Sequence, residues 1–215
     1  VAQSDNKQYD AYLFDWDGTL AQTIEIWING LRVAYQHFGV NLSDKKLAAS
    51  LGDWGAAAKN GVAESDVPEF NRILMEAGQN GGALTPPLFP GVLEAIERLK
   101  QDAKKVVLIT SSARQVIDIA LAHHDLVEQF DLILSVDDVK VHKPDPEGIL
   151  FVLEKLGLQK DQAVMIGDSD KDLGAAKNAG VDSILFYPPS HELLHDRTHL
   201  ESFGPQRTIT DWNEL

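Results

Sequence analysis

Five short apolar runs, each followed by a segment of helical periodicity, constrain this chain more than any other feature. They occupy residues 11–15 (AYLFD), 105–110 (KVVLIT), 131–135 (DLILS), 163–167 (AVMIG) and 183–187 (SILFY). Several are continuous rather than alternating, as in strands buried on both faces of a parallel sheet. Between them Val92, Ala95, Ile96 and Leu99 share one helical face, as do Ile149, Val152, Leu153 and Leu156, with Gly157 as a stop. A third helix is expected from Asp170 to Ala179, closed by Gly180. Strand–helix alternation of this kind predicts an α/β fold with a doubly wound (Rossmann-like) parallel sheet.

One stretch interrupts the alternation. Residues 21–87 contain three helical patterns and no convincing strand. Ile24, Ile28, Leu31, Tyr35 and Phe38 recur at spacings of three and four, and Phe70, Ile73, Leu74 and Ala77 form a second series. The segment closes on Gly81-Gly82-Ala83-Leu84-Thr85-Pro86-Pro87, a hinge by composition. The expected organisation is a core of residues 1–20 and 88–215 with a small α-helical domain, 21–87, inserted between the first two strands; one continuous domain with a long helical crossover is the alternative. After Tyr187-Pro188-Pro189 the sequence turns polar and predicts no definite element.

Composition narrows the function. Apolar residues make up 44% of 215, enough for one core or a core with a small second domain. Nineteen basic against thirty-three acidic side chains give a net charge of −14, which disfavours nucleic acid and anionic lipid as partners. No basic stripe is visible, and no apolar run is long enough to span a bilayer. Residues 1–10 are polar rather than signal-like, so a cytoplasmic protein is expected, with a monomer slightly favoured. With no cysteine in the chain, disulfides and thiolate chemistry are excluded, and any metal must be held by oxygen or imidazole.

In an open parallel sheet, ligands bind beyond the carboxyl ends of the strands. Asp15 ends the first run and is followed by Trp16-Asp17-Gly18-Thr19; Thr110 ends the second and precedes Ser111 and Ser112. Lys143 lies in the loop after the third, and Asp168 follows the fourth within Gly167-Asp168-Ser169-Asp170-Lys171-Asp172. Asp15 and Asp168 are hard oxygen donors suited to Mg²⁺, which is typically held by one or two carboxylates plus phosphate and water. Thr110 and the amides of the turn after it suit phosphate oxygens at a helix start. Two carboxylates across a glycine-permitted turn can divide nucleophilic from acid–base work.

At these positions the chain resembles the haloacid dehalogenase-like superfamily. Asp15-Trp16-Asp17-Gly18-Thr19-Leu20 looks like its first motif, Thr110 its second, Lys143-Pro144-Asp145-Pro146 its third, and Gly167-Asp168-Ser169 with Asp172 its fourth. Four motifs in order are a far more specific signal than one. The resemblance implies that Asp15 attacks phosphorus and becomes an aspartyl phosphate. It further implies that Asp17 protonates the leaving oxygen, then activates water, while its carbonyl joins Asp15 and Asp168 in binding Mg²⁺. Thr110, Ser111 and Lys143 would hold the phosphoryl group, and Asp172 would support Lys143 or a metal-bound water. The helical insertion corresponds to a cap closing over the site. Residues 21–23 (AQT) depart from the pattern, because many relatives are acidic there.

The acid at Asp17 favours phosphoryl transfer over dehalogenation, which attacks carbon and needs no acid there. The leading reading is a Mg²⁺-dependent phosphatase of a small phosphorylated metabolite, in a subgroup like phosphoglycolate phosphatase and β-phosphoglucomutase. A phosphomutase or pyrophosphatase is the near alternative, and a non-hydrolytic phosphoacceptor module the distant one. Trp54, in Gly52-Asp53-Trp54-Gly55, and Arg114 are candidate substrate contacts, weighed against cap packing and a solvated helix position respectively. Ser169 reads as a helix cap and Asp170 as a first-turn charge. His142 reads as a bystander beside Lys143. His191, His195 and His199 recur every four residues, one face of a helix, where a zinc site is conceivable.

Overall fold

The computed structural model describes residues 7–51 and 55–215. Six strands, β1 (Ala11–Phe14), β2 (Lys105–Ile109), β3 (Leu132–Leu134), β4 (Ala163–Gly167), β5 (Asp182–Phe186) and β6 (Arg207–Ile209), form one sheet. Their order is β3-β2-β1-β4-β5-β6, and every pairing is parallel. The five runs read from the sequence are β1 to β5, and β6 adds a sixth in the region that predicted nothing. β6 is three residues long and polar at its start, so its own pattern carries no signal; pairing with β5 defines it.

Side-chain alternation on the central strands divides the core in two. Tyr12, Phe14, Val106, Leu108, Val164 and Ile166 face one layer, packed by helices α5 (Val92–Gln101) and α6 (Arg114–His123). Ala11, Leu13, Val107, Ile109, Ala163 and Met165 face the other, covered by α7 (Glu147–Leu156) and α8 (Asp170–Ala179). Both faces being covered explains why β1 and β4 are apolar without interruption. Helices α7 and α8 end at Gly157 and Gly180, as the sequence predicts.

The insertion between β1 and β2 consists of α1 (Thr23–His37), α2 (Asp44–Ala48), α3 (Ala56–Lys59) and α4 (Val67–Asn80). Three helical patterns are legible in the sequence and four helices form among the described residues, because α2 and α3, five and four residues long, are too short to display a period. Leu31, Ala34, Tyr35, Leu47, Ala57, Val62 and Phe70 make a hydrophobic cluster separate from those of the sheet. The Tyr35 and Phe70 rings meet edge to face at 4.7 Å. The chain enters and leaves this insertion side by side: Gln22 N–H donates to the Pro87 carbonyl at 2.8 Å and Phe89 N–H to the Leu20 carbonyl at 2.9 Å.

Candidate active site

Strand order places the site. In the order 3-2-1-4-5-6 the winding direction reverses between β1 and β4, where a crevice opens at the strand carboxyl ends. Asp15 follows β1 and Asp168 follows β4, one on each side of that crevice. β2 delivers Thr110 alongside, and the loop after β3 brings Lys143.

Lys143 is the hub. Its Nζ donates to Asp15 Oδ1 at 2.6 Å, to Asp172 Oδ1 at 2.6 Å and to the Ile109 carbonyl at 3.0 Å. The Lys143 side chain is only 7% exposed and those of Asp15 and Asp172 8% and 1%, so this is a buried triad rather than a surface pair. Burial alone would lower the Lys143 pKa, but the two carboxylates reverse that and hold the ammonium above the usual lysine range. Asp172 is itself fixed as the third residue of a capping box, where Ser169 Oγ and N–H donate to its Oδ2 at 2.5 and 3.2 Å. Ser169 is therefore the helix cap that the sequence predicts, and Asp170 sits in the first turn of α8 facing solvent.

Asp168 Oδ1 accepts from Thr19 Oγ1 at 3.2 Å, tying the first motif to the fourth. Gly18 makes that approach possible: its φ is +77°, and a side chain there would overlap Ile24 and the Asp168 carboxylate. Gly167 serves the same end, since a Cβ on it would collide with Asp172. Asp17 Oδ2 accepts from Ser112 Oγ at 2.6 Å, and Ser112 N–H donates to Thr110 Oγ1 at 3.0 Å. Ser112 is thus a site residue that sequence reasoning missed, although it adjoins the two residues singled out in that turn. Ser111 is exposed.

Carboxylate outweighs cation here. Asp15, Asp168 and Asp172 each offer an oxygen, all within 4.8 Å of one another, and one ammonium faces them. Like charges ~4 Å apart repel by about 4 kcal/mol at an effective dielectric near 20. The consequence is visible at Asp15, whose carboxyl is held well above the usual range by burial and then by Asp172, with Lys143 opposing. Burial raises Asp168 as well, against the hydrogen bond from His195. An all-oxygen, charge-deficient cluster of this kind fits a hard divalent cation.

Tertiary structure redirects two of the sequence candidates. Arg114 turns away from the carboxylates: its guanidinium donates to the Asp138 carboxylate and to the Ile133 carbonyl, next to β3. The histidine segment is not one helix, because a 3₁₀ turn over Pro189–Leu193 breaks before α9 (Arg197–Glu201). His199 lies on α9 against Phe203, while His191 and His195 approach Asp168. Burial, with His195 adding, pushes His191 down to about 3, so its ring is neutral at ordinary pH. His142 is exposed beside Lys143. Trp54 lies outside the described residues.

A cavity of about 460 Å³ lies between the insertion and the sheet. Trp27, Leu31, Tyr35, Phe70, Leu74 and Met75 line its helical side, and Ser111 reaches it from the turn after β2.

A doubly wound sheet, a helical insertion after the first strand, and paired acids with a lysine at the carboxyl edge define a hydrolase class. The chain belongs to the haloacid dehalogenase-like hydrolase family, whose model matches residues 12–186. It is 27% identical over 204 residues to pyrophosphatase PpaX of Bacillus cereus (strain AH820), covering 94% of this chain and 93% of that one. An inferred β-phosphoglucomutase from Thermotoga maritima superposes with a TM-score of 0.78 at 25% identity, over 95% of each chain. A predicted phosphoglycolate phosphatase from Haemophilus somnus 129pt shares the fold, with a TM-score of 0.77 at 20% identity over 97% of each chain. No helix among the described residues is long and apolar enough to cross a membrane.

Proposed function

We propose that this phosphatase of the family hydrolyses a small phosphorylated metabolite through an aspartyl phosphate on Asp15, with Mg²⁺ as its cation. The Lys143 bridge between Asp15 and Asp172 carries the reading, because it sets an ammonium where a phosphoryl oxygen must be held. Residues 21–87 act as a cap over the site, and the hydrogen-bonded linker segments at residues 20–22 and 87–89 support treating them as a unit. The cysteine-free, acidic composition suits action in the cytoplasm, a monomer is the state we favour, and the −14 net charge argues against nucleic acid and membrane partners.

Lys143 engages Asp15 Oδ1, which leaves Oδ2 to attack phosphorus. As the Oδ2–P bond forms, the P–O bond to the leaving group breaks, and the Asp17 carboxyl gives its proton to the departing oxygen. Ser112 steers that carboxyl, and Thr110, Ser111 and Lys143 receive the phosphoryl oxygens. In the second half, Asp17 takes a proton from water as the water oxygen bonds to phosphorus and the Asp15–phosphorus bond breaks. Asp15, Asp168 and the Asp17 carbonyl would hold Mg²⁺, which supplies charge to the transferring phosphoryl oxygens when bound.

The cap wall refines the substrate. Its described residues are apolar and aromatic, with Ser50 and Asn71 as polar members and no lysine or arginine. A second phosphate placed against that wall would lose hydration without gaining a cation. This favours a phosphomonoester with a partly apolar body over pyrophosphate, and hydrolysis over transfer to a sugar hydroxyl. The test is phosphate release from aryl monoesters, sugar phosphates, phosphoglycolate and pyrophosphate, each with Mg²⁺ or chelator. Mg²⁺-dependent turnover, fastest on monoesters with an apolar body, supports the reading; no Mg²⁺-dependent turnover of any of them overturns it.

A further inference from the structure

The segment after β5 brings two imidazoles to Asp168 that the phosphatase chemistry leaves unused. His195 Nε2 is 3.1 Å from Asp168 Oδ2, and His191 Nδ1 is 3.8 Å from the same oxygen. One ligand atom from each of the three residues lies within 4.8 Å of the others. His191 is fully buried, and neither of its ring nitrogens has a hydrogen-bond partner among the described residues. Buried polar atoms are nearly always paired, so an orphaned imidazole aimed at a carboxylate calls for an explanation. Its other neighbours are aromatic: Phe89, Phe186 and Tyr187 hold the ring edge to face at 5.9, 6.1 and 6.3 Å. Those contacts fix the ring and offer its nitrogens nothing.

We infer that Asp168, His191 and His195 form a second divalent-metal position, selective for imidazole-preferring ions such as Zn²⁺ or Co²⁺ over Mg²⁺. Zinc bonds to nitrogen and oxygen run to roughly 2.0–2.2 Å, so tetrahedral ligand atoms sit about 3.3–3.6 Å apart. The separations of 3.1 and 3.8 Å bracket that range. Donor type separates the two positions: Asp15, Asp168 and Asp172 offer only hard oxygen, whereas two of three donors here are imidazole. Asp168 is common to both sets and would bridge them. His195 is partly exposed, which keeps the fourth position open to water or a ligand oxygen. The inference stands apart from the phosphatase reading, since it concerns binding and not turnover.

The test uses the full chain without an affinity tag, stripped of metal and titrated with Co²⁺ in excess Mg²⁺. Equilibrium dialysis gives the stoichiometry, and visible absorption reports a four-coordinate, nitrogen-ligated ion. Wild type should retain one Co²⁺ per chain with an intense visible band that Zn²⁺ bleaches. His195→Ala should weaken binding by at least about 100-fold, since losing a direct ligand exceeds the 10–100-fold effect of an outer partner. His191→Phe, which keeps the aromatic packing, should lose the band, and Asp15→Asn should keep it. If His191→Phe does not fold, His195→Ala decides alone, because that side chain is partly exposed. Co²⁺ displaced by Mg²⁺, or bound by His195→Ala as tightly as by wild type, overturns the inference.

Discussion

Ser112 Oγ donates to Asp17 Oδ2 at 2.6 Å, joining the turn after β2 to the turn after β1 across 95 residues of sequence. The same Ser112 donates its N–H to Thr110 Oγ1, so one residue orients both the carboxylate proposed for acid–base work and the hydroxyl proposed to bind phosphate. Asp15→Asn should abolish phosphoenzyme and phosphate release. Asp17→Asn should lower turnover by about 10²–10⁴-fold while still forming phosphoenzyme from an aryl or acyl phosphate, whose leaving group needs little protonation. Ser112→Ala should fall between wild type and Asp17→Asn. Intact-mass and peptide analysis after a rapid quench locates the phosphate, and a label on Ser111 or Ser169 would contradict the mechanism.

Removing Lys143 strips the one ammonium from three crowded carboxylates. Lys143→Met should destabilise the chelated protein by about 3–5 kcal/mol, the usual cost of breaking a buried pair from one side. Urea unfolding at neutral pH measures it, and added Mg²⁺ should recover part of the loss. A change below about 1 kcal/mol would mean that the cluster is relieved some other way.

The pH dependence of stability should carry a His191 signature. Its folded pKa of about 3 lies below the unfolded value of 6.5. The unfolded chain therefore binds the extra proton first, and stability present above pH 6.5 is lost as pH falls toward 3. In chelator, this one group contributes a slope of about 1.4 kcal/mol per pH unit in that window. His191→Phe should flatten the acid limb relative to wild type; superimposable profiles would show that the ring is not buried neutral.

Met75, on α4, is 48% exposed and lines the cavity beside the helical insertion. On the proposed reading, a charge there opposes an apolar substrate body and leaves the proposed phosphoryl site untouched. Met75→Asp should lower kcat/KM for an aryl monoester by about tenfold or more, equivalent to ~1–3 kcal/mol. Acetyl phosphate, too small to reach the wall, should be hydrolysed as by wild type. Equal losses on both substrates would place the substrate body elsewhere.

Calcium tests the cation geometry. It accepts more oxygens than Mg²⁺ and takes carboxylates in bidentate fashion. In the proposed mechanism Asp15 keeps one oxygen free to attack, so Ca²⁺ should compete with Mg²⁺ and suppress turnover. Equal rates with the two ions would show that Asp15 is not a shared ligand and nucleophile.

The sequence by itself determined whatever depends on neighbours along the chain. The apolar runs at β1 to β5, the stops at Gly157 and Gly180, the Ser169 cap and the four motifs are all local, and local periodicity and turn chemistry suffice to specify them. Tertiary structure alone decided the strand order, and with it that Asp15 and Asp168 flank the reversal point. It decided β6, whose three residues become a strand only through β5. It turned Arg114 toward Asp138, brought Ser112 to Asp17, and broke the histidine series so that His191 and His195 meet Asp168 while His199 does not. These are contacts between residues tens of positions apart, or breaks forced by packing. Helical spacing in the sequence records which residues could share a face, but not whether the chain stays helical long enough for them to do so.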